Sequence, residues 1–209
     1  MSDTILIADD HPLFRQALAL AVQKVMPGAT LREAGTLSAA AHAAVEAEDL
    51  RLILLDLKMP GAVGYSGIAL LHAERPSVPI LVVSSTDGAG AAEEARAFGA
   101  IGFLRKDSDL SAIEAAIRDA LGGKAASGSA SGDAQMDTVR RDVANLTPTQ
   151  LKVLLAVLDG QLNKQIAHSL GITEATVKAH MTAIMRKLDV SNRTQAALVA
   201  RSLGLDLRH

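Results

Sequence analysis

The sequence contains no cysteine and no tryptophan, and only one tyrosine and three phenylalanines among its 209 residues. The absence of cysteine excludes disulfide frameworks, thiol nucleophiles and cysteine-ligated metals. Aromatic residues make up 2% of the chain, too few for a surface that stacks the bases of single-stranded nucleic acid. No apolar run approaches the ~20 residues that a membrane-spanning helix needs, and no signal-peptide pattern is present. We therefore expect a cytoplasmic protein without a membrane partner.

Charge is unevenly distributed along the chain, although the net charge is only −2. Residues 1–121 contain 10 Lys and Arg against 16 Asp and Glu, whereas residues 122–209 contain 11 against 7. The hydrophobic fraction of 49% is that of an ordinary globular protein. The charge asymmetry favours an acidic module joined to a module that meets nucleic acid.

The first 121 residues alternate between short apolar runs and amphipathic stretches. Runs at 4–8, 29–33, 52–55, 80–83 and 101–104 have the length and composition of strands buried on both faces of a parallel sheet. Amphipathic stretches at 11–25, 38–48, 67–74, 89–98 and 108–121 predict the crossover helices that parallel strands require. Residues 1–121 are therefore predicted to form an α/β domain, a doubly wound (βα)5 parallel sheet of flavodoxin-like type.

The composition changes after residue 121. Residues 122–143 begin with a stretch of glycine, alanine and serine that has little to bury, which predicts a flexible linker. Residues 144–209 return to helical periodicity, with four helices predicted after Thr147, over 163–170, from Thr173 to Leu188 and from Asn192 to Leu203. The second and third helices, separated by a two-residue turn, have the arrangement of a helix-turn-helix in a small all-α domain.

Polar residues stand at the predicted carboxyl ends of four strands. Asp9 and Asp10 follow the first strand, Asp56 follows the third, Ser84 ends the fourth and Lys106 follows the fifth. These ends meet at one edge of a parallel sheet, where ligands bind near the topological switch point. Three converging carboxylates need a counter-charge, which Mg²⁺ and the lysine can supply, and a carboxylate so placed can attack phosphorus. The alternative is that each acid only caps the following helix.

The segments ILIADDHP at 5–12, LDLKMPG at 55–61 and GFLRK at 102–106, with Ser84, resemble the receiver domain of two-component response regulators. The resemblance implies a Mg²⁺ site in which Asp10, Asp56 and the backbone carbonyl of Lys58 bind the ion directly, while Asp9 acts largely through water. It also implies that Asp56 is the phosphoacceptor, Ser84 the switch hydroxyl, Lys106 the phosphate clamp and Phe103 the switch aromatic. Lys58 departs from the usual shorter polar residue, and we expect its side chain either to lean over the phosphate or to extend into solvent.

A second resemblance, to the LuxR-type DNA-binding domain, rests on NKQIA at 163–167, TVKAH at 176–180, RKL at 186–188 and SNRT at 191–194. The sequence departs from that pattern at Gln150, where Glu is usual, and at Leu162, which we expect to pack against a neighbour. In the third helix, Lys178, Ala179 and Thr182 are expected near base edges, and the basic residues are expected at phosphates. The full set of predicted DNA contacts is Lys164, Thr176, Lys178, Ala179, His180, Thr182, Arg186, Lys187 and Arg193.

Together the two resemblances imply a response regulator of the NarL/FixJ class. A sensor histidine kinase is then expected to phosphorylate Asp56 and so control homodimerisation and binding to double-stranded promoter DNA. RNA polymerase is a further possible partner. The linker is expected either to release an inhibited recognition helix or to allow dimerisation. The apolar face of the last helix either pairs two copies or completes the core of its own domain.

Two other functions are compatible with these residues. One is a phosphorylation-independent transcription regulator whose receiver only binds a partner. The other is a Mg²⁺-dependent phosphatase of the aspartyl-phosphate type. Such enzymes usually carry a second Asp two residues after the nucleophile, where this chain has Lys58. We therefore expect a transcription regulator that is not an enzyme and assists only its own phosphorylation and dephosphorylation.

Overall fold

The structure, a computed structural model, describes residues 3–85, 90–123, 142–143 and 145–205. The chain divides into two compact units, residues 1–131 and 132–209. Most of the linker predicted at 122–143 lies outside the described residues. Within the described part of the chain, no helix combines the length and the apolar character that crossing a membrane requires.

The first unit contains a five-stranded parallel sheet, which confirms the predicted fold class. Its strands are β1 (Thr4–Ala8), β2 (Thr30–Ala34), β3 (Leu50–Leu55), β4 (Ile80–Ser84) and β5 (Gly102–Arg105), in the order β2-β1-β3-β4-β5. Every residue of β1 is buried, as is expected of a central strand covered by helices on both faces. β1 and β3 are neighbours, but the chain leaves them in opposite directions across the sheet, which opens a crevice at their carboxyl ends.

Five helices cover this sheet: α1 (Pro12–Val25), α2 (Leu37–Glu46), α3 (Ser66–Glu74), α4 (Ala91–Ala97) and α5 (Leu110–Leu121). Right-handed crossovers place α1 and α5 on one face and α2 to α4 on the other. In agreement, α1 packs on α5 and α2 packs on α3. The core between the sheet and the α1/α5 layer includes Ile5, Ile7, Leu18 and Ile117.

Some helices and strands begin or end one or two residues away from the predicted positions, because pairing with a neighbouring strand or a helix cap sets the boundary. β3 begins at Leu50 rather than at 52 because its pairing with β1 continues past a register irregularity to Thr4. α5 begins at Leu110 rather than at 108 because the Asp109 carboxylate caps it, accepting a hydrogen bond from the Ala112 amide at 2.7 Å. Capping of this kind satisfies an amide that has no partner within the helix.

The described part of the second unit contains α6 (Pro148–Leu158), α7 (Asn163–Leu170), α8 (Glu174–Lys187) and α9 (Arg193–Ser202). Gly171 ends α7 with a φ of 66°, a left-handed conformation that glycine adopts without steric cost. The side chain of Thr173 then caps α8 by accepting from the Thr176 amide at 3.1 Å. This α7-turn-α8 segment is the predicted helix-turn-helix.

Exposure in the structure bears on two expectations about apolar residues of this unit. Leu162 was expected to pack against a neighbour, but it is 68% exposed because it lies at the N-cap of α7, outside the helical face that the core covers. In the last helix, Ala196 and the following Leu203 are buried in their own unit, whereas Leu198 is 58% exposed. Most of that apolar face therefore completes the unit's own core, and Leu198 stays available to a partner.

Candidate functional site

The carboxylates predicted from the strand ends lie together at the crevice between β1 and β3. Ala8 and Leu55 are register partners, so the residues that follow them, Asp9 and Asp56, emerge side by side. The Asp56 amide donates to the Ala8 carbonyl at 2.8 Å, which fixes this juxtaposition. Both aspartates are buried, with 0% and 2% of their surface exposed, whereas Asp10 is partly exposed.

Asp56 is surrounded by hydrogen-bond donors on both of its carboxylate oxygens. Its Oδ1 accepts from Ser84 Oγ at 3.0 Å and from the Lys58 amide at 3.1 Å. Its Oδ2 accepts from Lys106 Nζ at 2.8 Å. These three donors together hold the buried carboxylate in one orientation, because hydrogen bonds on both oxygens oppose its rotation. The side chain of Lys58 itself is exposed, as in the second of its two expected orientations.

Lys106 links two of the acids and is held over an aromatic ring. Its Nζ lies 2.6 Å from Asp9 Oδ2 and 2.8 Å from Asp56 Oδ2, and 4.9 Å from the centre of the Phe14 ring. Burial alone would lower the pKa of Lys106, but the hydrogen bonds and negative charges of Asp56 and Asp9 outweigh it and raise that pKa above its ordinary value. The ammonium therefore remains charged and fixed at the centre of the acidic cluster.

The donor set fits a divalent cation. Asp9, Asp10, Asp56 and also His11 each offer one ligand atom, and these four atoms lie within 4.8 Å of one another. Trans ligands of a hard octahedral cation are ~4.2 Å apart, given metal–oxygen distances of about 2.1 Å, so small adjustments would bring the atoms to bonding distance. Three carboxylates also carry more negative charge than one ammonium balances. Carboxylate oxygens with uncompensated charge are the chemistry that Mg²⁺ prefers.

The remaining predicted residues of the first unit lie on the neighbouring strands. Ser84, at the end of β4, is fully buried, and its carbonyl accepts from the Lys106 amide at 3.0 Å. Phe103 is a half-buried residue of β5, paired with Val82 and therefore two residues before the level of Ser84. The structure thus brings Asp9, Asp10, Asp56, Ser84 and Lys106 together and places Phe103 lower on the adjacent strand.

Two residues near the cluster were missed from the sequence. Phe14 lies under the Lys106 ammonium, and the His11 ring contacts two of the carboxylates. The signal for His11 was available, since it follows Asp9 and Asp10 directly and has to lie in the same loop. No periodicity distinguishes Phe14, because a single aromatic residue on α1 is ordinary core material.

In the second unit, α8 presents the predicted DNA-contact face. Lys178, Thr182 and Arg186 recur every four residues and are exposed, so they form one stripe along the helix. Ala179, also exposed, lies beside this stripe, and the small side chain permits close approach of a partner. Lys164 on α7 is exposed, whereas Thr176 and His180 are half-buried at the edge of the face.

Two predicted DNA contacts are engaged inside the unit. Lys187 Nζ donates to the Asn145 carbonyl and to Gln150 Oε1, both at 2.9 Å, and so ties the end of α8 to the start of α6. Arg193 donates to Asn163 Oδ1 at 2.6 Å and also to a backbone carbonyl of the α6–α7 loop. These bonds give both cations a role in holding the helices together, and their contact with DNA stays a prediction.

The sequence of this chain matches two protein families and is similar to several known proteins along most of its length. Residues 5–118 match the family described as response regulator receiver domain, and residues 144–200 match bacterial regulatory proteins of the luxR family. The chain is 41% identical over 207 residues to the glycerol metabolism activator of Pseudomonas putida, with 94% of each chain covered. It is 33% identical over 202 residues to the nitrate/nitrite response regulator NarL of Escherichia coli, with 93% of each covered.

A solved structure of RcsB shows a similar fold. Two RcsB dimers are bound there to two parallel DNAs, and the likeness has a TM-score of 0.54 at 20% identity. It covers 97% of this chain and 99% of the RcsB chain.

Proposed function

Because this chain belongs to the two-component response regulators that join a receiver to a LuxR-type DNA-binding domain, the NarL/FixJ class, we propose that phosphorylation of Asp56 controls its activity as a transcription factor. The observation that carries the proposal is the convergence on Asp56 of Ser84, Lys106 and the acids that follow β1. We assign the receiver to residues 1–121, the linker to 122–143 and the DNA-binding domain to 144–209, which agrees with the two compact units.

The chemistry of the site is the transfer of a phosphoryl group from a phosphohistidine of a sensor kinase. A carboxylate oxygen of Asp56 attacks phosphorus, the bond from phosphorus to the histidine nitrogen breaks, and the imidazole keeps the electron pair. Asp9, Asp10, Asp56 and the Lys58 carbonyl would hold Mg²⁺, which supplies positive charge to the phosphoryl oxygens. Lys106, already 2.8 Å from Asp56, supplies a second fixed cation to the same oxygens.

The switch follows from the contacts of Ser84. Its hydroxyl now donates to Asp56 Oδ1, and a phosphoryl group on that side chain would offer it more strongly charged acceptor oxygens. Movement of Ser84 toward them would open space beside β5, into which we propose that Phe103 turns. The rearranged surface of α4, β5 and α5 would then favour a homodimer, in which two α8 helices reach adjacent turns of promoter DNA.

The family regulates transcription, and we propose that the receiver catalyses only its own phosphorylation and dephosphorylation. We further propose that the protein acts in the cytoplasm, on double-stranded promoter DNA beside RNA polymerase. Its basic second half would supply phosphate contacts, and the exposed stripe on α8 would read base edges.

The test uses the full chain and BeF₃⁻, which binds a carboxylate in place of a phosphoryl group. Wild type, Asp56→Asn and a control, Glu48→Gln, are compared with Mg²⁺ alone and with Mg²⁺ and BeF₃⁻. Glu48 is exposed between α2 and β3, outside both the acidic cluster and the proposed dimer surface, and its change to Gln also replaces a carboxylate by an amide. Light scattering measures oligomeric state, and fluorescence anisotropy measures binding to a duplex from the promoter upstream of its own gene.

A shift to dimer and tighter DNA binding in wild type and Glu48→Gln, but not in Asp56→Asn, is the expected result. A response in all three proteins would remove Asp56 from its proposed role. No response in any of them would instead favour the phosphorylation-independent regulator.

A further inference from the structure

We infer that His11 supplies a nitrogen ligand to the cation bound at the acidic cluster, so that the site discriminates among divalent metals. The inference rests on the proposed function, because it concerns the same cation. It concerns a residue outside the oxygen donor set of Asp9, Asp10, Asp56 and the Lys58 carbonyl.

The first support is the position of the ring. His11 Nδ1 lies 2.7 Å from Asp10 Oδ1 and 3.4 Å from Asp9 Oδ1. One nitrogen of the His11 ring is among the four ligand atoms that lie within 4.8 Å of one another. The ring therefore already stands at the edge of the space that a cation between these carboxylates would occupy.

The second support is that the backbone of His11 is fixed while its ring lies largely exposed outside the core. The His11 amide donates to Asp9 Oδ1 at 2.8 Å, and its carbonyl accepts from the amides of Phe14 and Arg15 at the start of α1. The side chain is 67% exposed, so no core packing opposes a small rotation about its own bonds.

The third support is the environment of Asp10. Asp9 and Asp56 are both held by Lys106, whereas Asp10 has its close contact with His11. His11 Nδ1 also lies 3.4 Å from Lys106 Nζ, so the ring borders both the carboxylates and the ammonium of the cluster. A metal bonded to Nδ1 would use the lone pair of that nitrogen and leave the ring N–H on Nε2.

The consequence is a stronger preference for Ni²⁺ over Mg²⁺ than oxygen ligands alone would give. Carboxylates, carbonyls and water suit Mg²⁺, whereas imidazole suits Ni²⁺ and Zn²⁺. His11 should therefore add little to the affinity for Mg²⁺ and much to the affinity for Ni²⁺. The same residue would make the site sensitive to the metal available in the cell.

The experiment is calorimetric titration of the untagged full chain with MgCl₂ and, separately, with NiCl₂ near pH 7.5. Wild type is compared with His11→Ala and with His11→Asn, which keeps a polar side chain but offers an amide oxygen. His42→Ala is the matched control, because His42 is a 75% exposed histidine on α2 that pairs with Glu46. We expect both His11 variants to lose at least tenfold in Ni²⁺ affinity and to bind Mg²⁺ within about twofold of wild type, while His42→Ala matches wild type for both metals.

Unchanged Ni²⁺ affinity in His11→Ala would overturn the inference. Equal losses for Ni²⁺ and Mg²⁺ would overturn it too, since they would show that His11 only orients Asp10. The proposed function fails separately: wild type that binds Ni²⁺ through His11 but does not bind Mg²⁺ would contradict the magnesium site and support the nitrogen ligand.

Discussion

Replacement of Lys187 by methionine separates a structural role from a role in DNA binding. The sequence places this residue among nine expected DNA contacts, yet its ammonium bridges two helices of its own unit. Methionine keeps the length and much of the apolar stem of lysine and removes only the charged donor. We expect Lys187→Met to destabilise the second unit, and Lys178→Met, on the exposed stripe of the same helix, to leave its stability unchanged.

The size of the effect follows from the two bonds that are lost. Each runs from a charged donor over 2.9 Å, and bonds of this kind contribute about 1.5–3 kcal/mol when buried. Lys187 is only half-buried, and Gln150 Oε1 still accepts from the Thr147 amide at 3.1 Å after the change. We therefore expect the free energy of unfolding of the second unit to fall by about 2 kcal/mol in total. For a unit of this size, 1 kcal/mol lowers Tm by about 4–8 °C, so the expected shift is on the order of 10 °C.

The assay is differential scanning calorimetry of the full chain, together with anisotropy titrations of promoter DNA at several salt concentrations. Lys178→Met should weaken DNA binding and lower the slope of log affinity against log salt, because one cation is lost from the DNA-contact face. Lys187→Met should lower the Tm of the second unit and retain the slope of wild type at temperatures where it is folded. An unchanged Tm with a reduced salt slope in Lys187→Met would refute the structural role.

Three other outcomes are expected. Lys106→Met should raise Mg²⁺ affinity at least about fivefold in calorimetric titration, because it removes a competing cation whose repulsion costs at least about 1 kcal/mol. The same change should abolish the response to BeF₃⁻, and unchanged Mg²⁺ affinity would contradict the competition. Gly99→Ala should lower the Tm of the first unit more than Gly28→Ala does. Both glycines have positive φ, but only a Cβ at Gly99 would clash, lying 2.7 Å from His72 Cγ. Equal Tm values for the two variants would contradict the clash. Thr173→Ala should lower the free energy of unfolding of the second unit by about 1 kcal/mol, measured by chemical denaturation, because the N-cap of α8 is lost. An unchanged free energy of unfolding would refute that capping role.

The sequence alone was sufficient for the fold class and for the chemical character of the first site. Strands buried on both faces read as unbroken apolar runs, and parallel strands with crossover helices allow few topologies, so the order of elements followed from periodicity. Asp9, Asp56 and Lys106 could be placed together for the same reason, since carboxyl ends of parallel strands share one edge of the sheet. Helix caps such as Thr173 are local as well, because cap and partner are three residues apart.

Tertiary structure decided what distant residues do to one another. A lysine on the polar face of α8 looks the same in the sequence whether it meets solvent, DNA or a carbonyl, and only folding brings Lys187 to Asn145, 42 residues away. The exposure of Leu198 beside the buried Ala196 likewise depends on which helices cover α9. The contact of His11 with Asp10 depends on how one loop turns at the start of α1. Periodicity reports which face of an element is apolar, whereas the partner of each polar group is set by the packing of elements that are far apart in the chain.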